Sequence, residues 1–153
     1  MAVRPSTSTR SGNGECFSQP SITAPPSSGE SKLDVTWPTI ASPDVLAATA
    51  WPDAVAVLPI APDDVLVLGT TTIDVADPHA IVVAETGFAG CWLTVEEIER
   101  DVRPHLDWDL PRERPALAQG HIAGVPAKLW LTRDTALLVC AAAYAHDLTV
   151  RLS

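Results

Sequence analysis

A chain of 153 residues supports one domain, two at most. Its formal charge of -9 gives a surface that repels phosphate backbones and anionic lipid, which argues against nucleic acid and membrane surfaces as partners. No run approaches the ~18 apolar residues of a membrane span, and no hydrophobic region follows Arg4 and Arg10 as a secretory signal requires.

Residue inventory excludes more chemistry. After Ser42 the next serine is the terminal Ser153, and no asparagine follows Asn13. A Ser–His–Asp or Ser–Lys site therefore has no nucleophile in the apolar part of the chain. The three cysteines, Cys16, Cys91 and Cys140, form no CxxC pair, which removes thioredoxin-like chemistry and the usual zinc frameworks. Cys91 and Cys140 lie in apolar, strand-like contexts and read as buried thiols of a cytosolic protein. Cytoplasmic localisation is the expectation.

In chain order, residues 1–33 are dominated by Ser, Thr, Pro and Gly. Such a segment buries too little apolar surface to offset about 1–2 kcal/mol of backbone entropy per ordered residue, so it reads as a disordered tail. Residues 34–53, with Trp37-Pro38 and Trp51-Pro52, read as a proline-punctuated lead-in linker, and 54–153 as a single α+β domain. Within the linker, Ser42-Pro43 is a helix start signal for one short turn over 44–50. Val55–Leu58 is a short apolar run ended by Pro59, and Val65–Leu68 a second one closed by Gly69. Thr70–Pro78 is a connection. Ile81–Leu93 is a bent strand or a pair of strands, with Gly87 and Gly90 marking the bends.

Thr94-Val95-Glu96-Glu97 is a capping box: the Thr94 hydroxyl accepts from the Glu97 amide while Glu97 reaches back. Val95, Ile98 and Val102 recur at helical spacing, and Pro104 stops the helix. His105–Leu110 alternates strictly and predicts a strand. Pro111–Pro115 is a charged loop. Leu117–Ala123 and Ala127–Leu131 flank Gly124-Val125-Pro126, a spacing that suits a hairpin or one strand kinked at the glycine, and the continuous bent strand is the favoured reading. Thr132–Asp134 is a turn, Ala136–Ala141 its partner strand, and Ala142–Leu152 a closing helix. Strands joined by short turns with helices returning to one face make an α+β fold with an antiparallel sheet.

Several side-chain groups merit weighing as sites. His105, Asp107 and Asp109 look like metal ligands, yet same-face neighbours on a strand stand about 6.6–6.8 Å apart. Ligands about 2.0–2.2 Å from one zinc ion cannot include all three, so a solvated face is the better reading. Glu85, Glu96 and Glu97 are available carboxylates that no spacing pairs. Lys128, between Ala127 and Leu129, reads as a snorkelling strand lysine rather than a Schiff-base former. Trp92, Trp108 and Trp130 sit in alternating apolar segments and read as core, with interface anchoring as the alternative. The glycines do not fit GxGxxG, and no GxxxxGK[ST] occurs. No residue is assigned a catalytic, cofactor-binding or metal-binding role.

One series of short motifs carries a resemblance. Cys91-Trp92-Leu93 precedes the capped helix, Leu106–Leu110 follows it, Ala123-Gly124-Val125-Pro126 leads to Leu129-Trp130, and Leu137–Cys140 precedes Tyr144-Ala145. In order and spacing over about residues 54–152, this resembles the gamma subunit of heterotetrameric sarcosine oxidase, a folate-binding-type domain of the glycine-cleavage T-protein class. Thr94-Val95-Glu96 stands where that family has Ser-Gly-Pro. The resemblance implies an antiparallel sheet with helices packed on one face. It also implies a non-catalytic accessory subunit of a flavin-dependent amine oxidase in one-carbon metabolism, a hetero-oligomer with larger flavoprotein subunits. Any flavin or folate would sit in those partners and none in this chain. The carboxylate that clamps the pterin in folate-using relatives has no assignable counterpart here, so folate chemistry is not carried over. The alternatives are a stand-alone α+β protein-interaction module and, behind it, a tetrahydrofolate-binding one-carbon enzyme.

Overall fold

The computed structural model describes residues 36–70 and 72–153. The tail expected over 1–33 lies outside the described residues.

The fold is of the expected α+β class with antiparallel pairing throughout, its frame made of two four-stranded antiparallel sheets. In the first, the strands are β1 (Thr36–Ile40), β2 (Ala56–Ala61), β3 (Asp64–Leu68) and β4 (Ile81–Val82), ordered β2-β3-β1-β4. In the second, β5 (Phe88–Thr94), β6 (Ala116–Ile122), β7 (Val125–Leu131) and β8 (Thr135–Ala141) are ordered β5-β8-β7-β6. The Ile81–Leu93 stretch is thus a pair of strands, one in each sheet.

The second sheet is buried on both faces. Toward the first sheet it presents Leu137 and Val139, which pack with Leu58, Leu66 and Leu68. Its opposite face carries Ala118, Leu129, Leu138 and Cys140, covered by Ile98, Val102, Ala145 and Leu148 from the helical segments. Both helical covers lie on that one face, as the α+β reading expects. The strand β8 serves both cores at once: all five residues from Ala136 to Cys140 are buried. On its outer side the first sheet packs Val65 and Val67 against Ala41 and Leu46, the latter from helix α1 (Pro43–Ala48).

Of the 34–53 stretch expected as a linker, the described residues 36–53 hold a strand and a helix instead. Thr36–Ile40 is an inner strand, paired with β3 on one side and β4 on the other. Its buried hydroxyls are satisfied, Thr36 donating to the Glu85 carbonyl at 2.9 Å and Thr39 to the Trp37 carbonyl at 3.2 Å. Pro38 hides this strand from a sequence reading and also shapes its neighbour. The β1–β4 register puts Ile40 opposite Ile81 and Thr36 opposite Glu85, so Pro38 faces Val83. Val83 donates to the Pro38 carbonyl at 3.1 Å, but proline has no N–H to return. The ladder therefore breaks there, leaving β4 two residues long with an isolated bridge beyond it. Pro59, expected to end its run, lies inside β2, an edge strand that bulges between Pro59 and Ala61. An edge position tolerates the missing donor.

The capping box forms as the sequence predicts. Thr94 Oγ1 accepts from the Glu97 amide at 3.2 Å, and a Glu97 carboxylate oxygen accepts from the Thr94 amide at 2.8 Å. The helix it opens is short: α2 (Val95–Glu97) widens into a π-helical turn over Ile98–Val102 and tightens into a 3-10 turn over Arg103–His105, which contains Pro104.

Two expectations fail in the next segment. His105–Leu110 is no strand, because the outer edge of β6 offers it almost nothing to pair with. Leu106 makes one bridge to Ile122, and the Trp108 indole then takes over, donating to the His121 carbonyl at 3.2 Å. The ring lies against Gly120, where an added Cβ would stand 2.8 Å from the indole nitrogen. An edge strand is thereby covered by a side chain instead of a neighbour.

Residues 117–131 are a hairpin rather than one bent strand. Ala123 and Gly124 form a two-residue turn with φ of 51° and 78°, the primed geometry that matches strand twist. Arg151 of helix α3 (Ala145–Leu152) fastens the turn by donating to the Ala123 carbonyl at 2.8 Å. An L-residue in the left-handed region costs about 1–2 kcal/mol unless its side chain suits it. Ala123→Asn should therefore raise stability by about 0.5–1 kcal/mol, read as a higher denaturant midpoint with an unchanged slope.

Candidate functional site

Two concavities stand out on this frame. The first, about 470 Å³, lies between α1 and the 76–79 loop. Its acidic group, Asp77, is committed to structure: the carboxylate accepts from the Ser42 amide at 2.9 Å and the His79 amide at 2.8 Å. Those amides hold its pKa below the usual carboxylate value.

The second is a cleft of about 400 Å³ on the β6–β7–β8 surface. The β6–β7 hairpin builds it. Gln119 lies directly opposite Lys128, and His121 opposite Pro126, so alternation puts all four on one face of the sheet. Lys128 in turn lies opposite Val139 of β8, and Ala141 opposite Phe88 of β5. Ala141 and Phe88 make an apolar floor above the buried Val139, with Gln119, Lys128, His121 and Tyr144 also lining the space. The Gln119 side-chain amide reaches the Ile60 carbonyl at 3.4 Å and marks the boundary with the first sheet.

The residues weighed from sequence are scattered. His105, Asp107 and Asp109 are all exposed, on an irregular segment, and no group of three or more potential metal ligands gathers among the described residues. Glu97 is held by the capping box. Glu85 folds back on its own turn, accepting from the Gly87 amide at 2.6 Å; a Cβ on Gly87 would stand 2.7 Å from that carboxylate oxygen. Glu96 is exposed on the first helical turn. Trp92 and Trp130 are partly buried and pack on the inter-sheet core, while Trp108 packs on the helix-side core. They form no shared platform.

Of the weighed residues, Lys128 alone lines either of these two concavities. Gln119, His121 and Tyr144 were not singled out as site residues. The signal for the first two was present, since they alternate on β6, but it becomes readable only when β6 and β7 are recognised as a hairpin that sets them beside Lys128.

The cysteines differ from each other. Cys91 is disulfide-bonded, so the expectation of two buried thiols holds for Cys140 alone. Cys140 is 2% exposed, and burial raises its pKa from 9.0 to about 11. The folded state therefore keeps the thiol proton through a pH range in which the unfolded chain has lost it. That contribution to stability is fully present below about pH 9 and is lost as pH rises through about 11. In Cys140→Ala the decline between those pH values should be shallower. An alkylating reagent should reach native Cys140 only on unfolding.

The fold and its cleft define a small α+β domain of two antiparallel sheets, with α1 on the outer face of the first and the other helical segments on the outer face of the second. No family model matches the sequence, and no curated protein does. Among solved structures, the chain is similar to a chain of the heterotetrameric sarcosine oxidase from Corynebacterium sp. U-96, in a complex with pyrrole 2-carboxylate. The TM-score is 0.60 and the identity 16%, and the match covers 78% of this chain and 78% of that one. The likeness establishes a shared fold. No helix among the described residues is long and apolar enough to cross a membrane.

Proposed function

We propose that this chain is a non-catalytic accessory subunit of a flavin-dependent amine oxidase of the sarcosine oxidase type, acting in cytoplasmic one-carbon metabolism. Its partners are larger flavoprotein subunits, which hold any flavin or folate. The observation that carries this reading is the fold shared with a chain of a heterotetrameric oxidase, over 78% of both chains. The likeness thus extends over most of each chain. The engagement of Glu97 in a helix cap and of Glu85 in its own turn supports a structural use for these two carboxylates.

The test is affinity purification of the tagged full chain from its source cells, with mass spectrometry and a visible spectrum of the eluate. The expected result is a defined hetero-oligomer containing a flavoprotein. Oxidation of sarcosine or dimethylglycine should appear only when the chain is mixed with those subunits. Stoichiometric flavin or zinc in the chain purified alone, or turnover by it, would overturn the reading. Capture of a partner without flavin would favour the interaction module, and calorimetric binding of tetrahydrofolate would favour the folate enzyme.

A further inference from the structure

We propose that the Lys128 cleft is a binding site for a small organic carboxylate with an apolar body. The inference rests on the cleft's residues and is independent of the subunit role. Its first support is charge placement. The chain carries 19 acidic residues, yet none lines this cleft, whereas its only lysine among residues 36–153 does. Arg100, Arg103 and Arg151 are neutralised by Asp101, Glu99 and Asp147 on their own helical segments. Lys128 makes no ion pair or hydrogen bond among the described residues. Within the cleft an anion meets a cation with no acidic side chain beside it.

Geometry supplies the second support. Directly opposed residues on an antiparallel pair have Cβ atoms about 4.5–5.5 Å apart, and diagonal neighbours about 7–8 Å. Gln119 is the direct partner of Lys128 and His121 its diagonal one. Lys128 and His121 are thus near neighbours on one sheet face, beside the Gln119 amide that reaches the Ile60 carbonyl. Lys128 is partly buried and lines the cleft.

The floor sets the rest of the ligand. The partly exposed side chains of Ala141 and Phe88 are wholly apolar, so they receive an aryl or branched alkyl group rather than a sugar or a phosphate. A space of about 400 Å³ falls within the ~300–1,000 Å³ range of small-molecule sites. Tyr144, 48% exposed, stands among the lining residues with a phenolic hydroxyl to spare. A charge-assisted hydrogen bond to Lys128 gives the carboxylate its preference over a neutral isostere.

The experiment is an NMR titration of the isotope-labelled full chain with phenylacetate, and in parallel with phenylacetamide. Saturable shifts confined to Gln119, His121, Lys128, Tyr144 and their strand neighbours are expected. Phenylacetamide should bind at least about tenfold more weakly. Lys128→Gln should weaken phenylacetate by about the same factor, leave phenylacetamide unchanged and keep a native spectrum, while Lys128→Arg retains the preference. Equal response to acid and amide, or shifts scattered over the surface, would overturn the proposal. So would binding of a capped acidic peptide without binding of phenylacetate, which would reassign the cleft to a protein partner. If Lys128→Gln does not fold, the acid–amide preference of the unmodified chain decides alone.

Discussion

Leu137→Ala should remove about 2–5 kcal/mol of stability, the range for truncating a fully buried leucine. Leu137 is 0% exposed. It lies opposite Trp92 on β5 and Trp130 on β7, so two indoles flank it, and Leu58, Leu66 and Leu68 of the other sheet close over it. Rigid strands on either side leave little freedom to collapse into the void, which places the cost in the upper half of the range. Denaturant unfolding measures it as a shifted midpoint. A loss below about 1 kcal/mol would mean that the two sheets reseat against each other, and the described packing would be wrong.

Trp130→Ala should cost about 3 kcal/mol, the low end of the ~3–5 kcal/mol seen for Trp→Ala, because Trp130 is partly rather than fully buried. Its ring packs on the inter-sheet core and borders Leu137 and Leu117 in the strand register. The two substitutions touch a common space, so the double variant should lose less than the sum. If instead Trp130→Ala leaves stability within about 0.5 kcal/mol and abolishes capture of a partner, the ring is an interface anchor.

Where local chemistry decides the conformation, the sequence was readable. The Thr94–Glu97 cap, the Pro43 helix start, the Gly69 strand end with its φ of 93° and the turn before β8 each follow from a few adjacent residues. The misread segments are those decided by a distant partner. His105–Leu110 alternates like a strand, but what it meets is the edge of β6, where an indole covering Gly120 satisfies the carbonyl that a strand would have used. The β6–β7 turn lacks the Asn-Gly signature because Arg151, 28 residues later, holds the Ala123 carbonyl. Pro38 argues against an inner strand until Val83 is seen to tolerate the gap. The cleft inherits this difficulty, since Lys128, Gln119 and His121 come together only through the hairpin.

The double service of β8 has a consequence for the order in which the protein opens. Solvent reaches the amides of Ala136–Cys140 only if the helical cover and the opposing sheet are both lost, since Leu137 and Val139 serve one core and Ala136, Leu138 and Cys140 the other. Partial opening of either layer leaves the strand protected, so its amide protons should exchange with deuterium last, at a rate set by global unfolding. Beside the ladder broken at Pro38, the Val83 amide should exchange early, through local fluctuations that leave both cores intact.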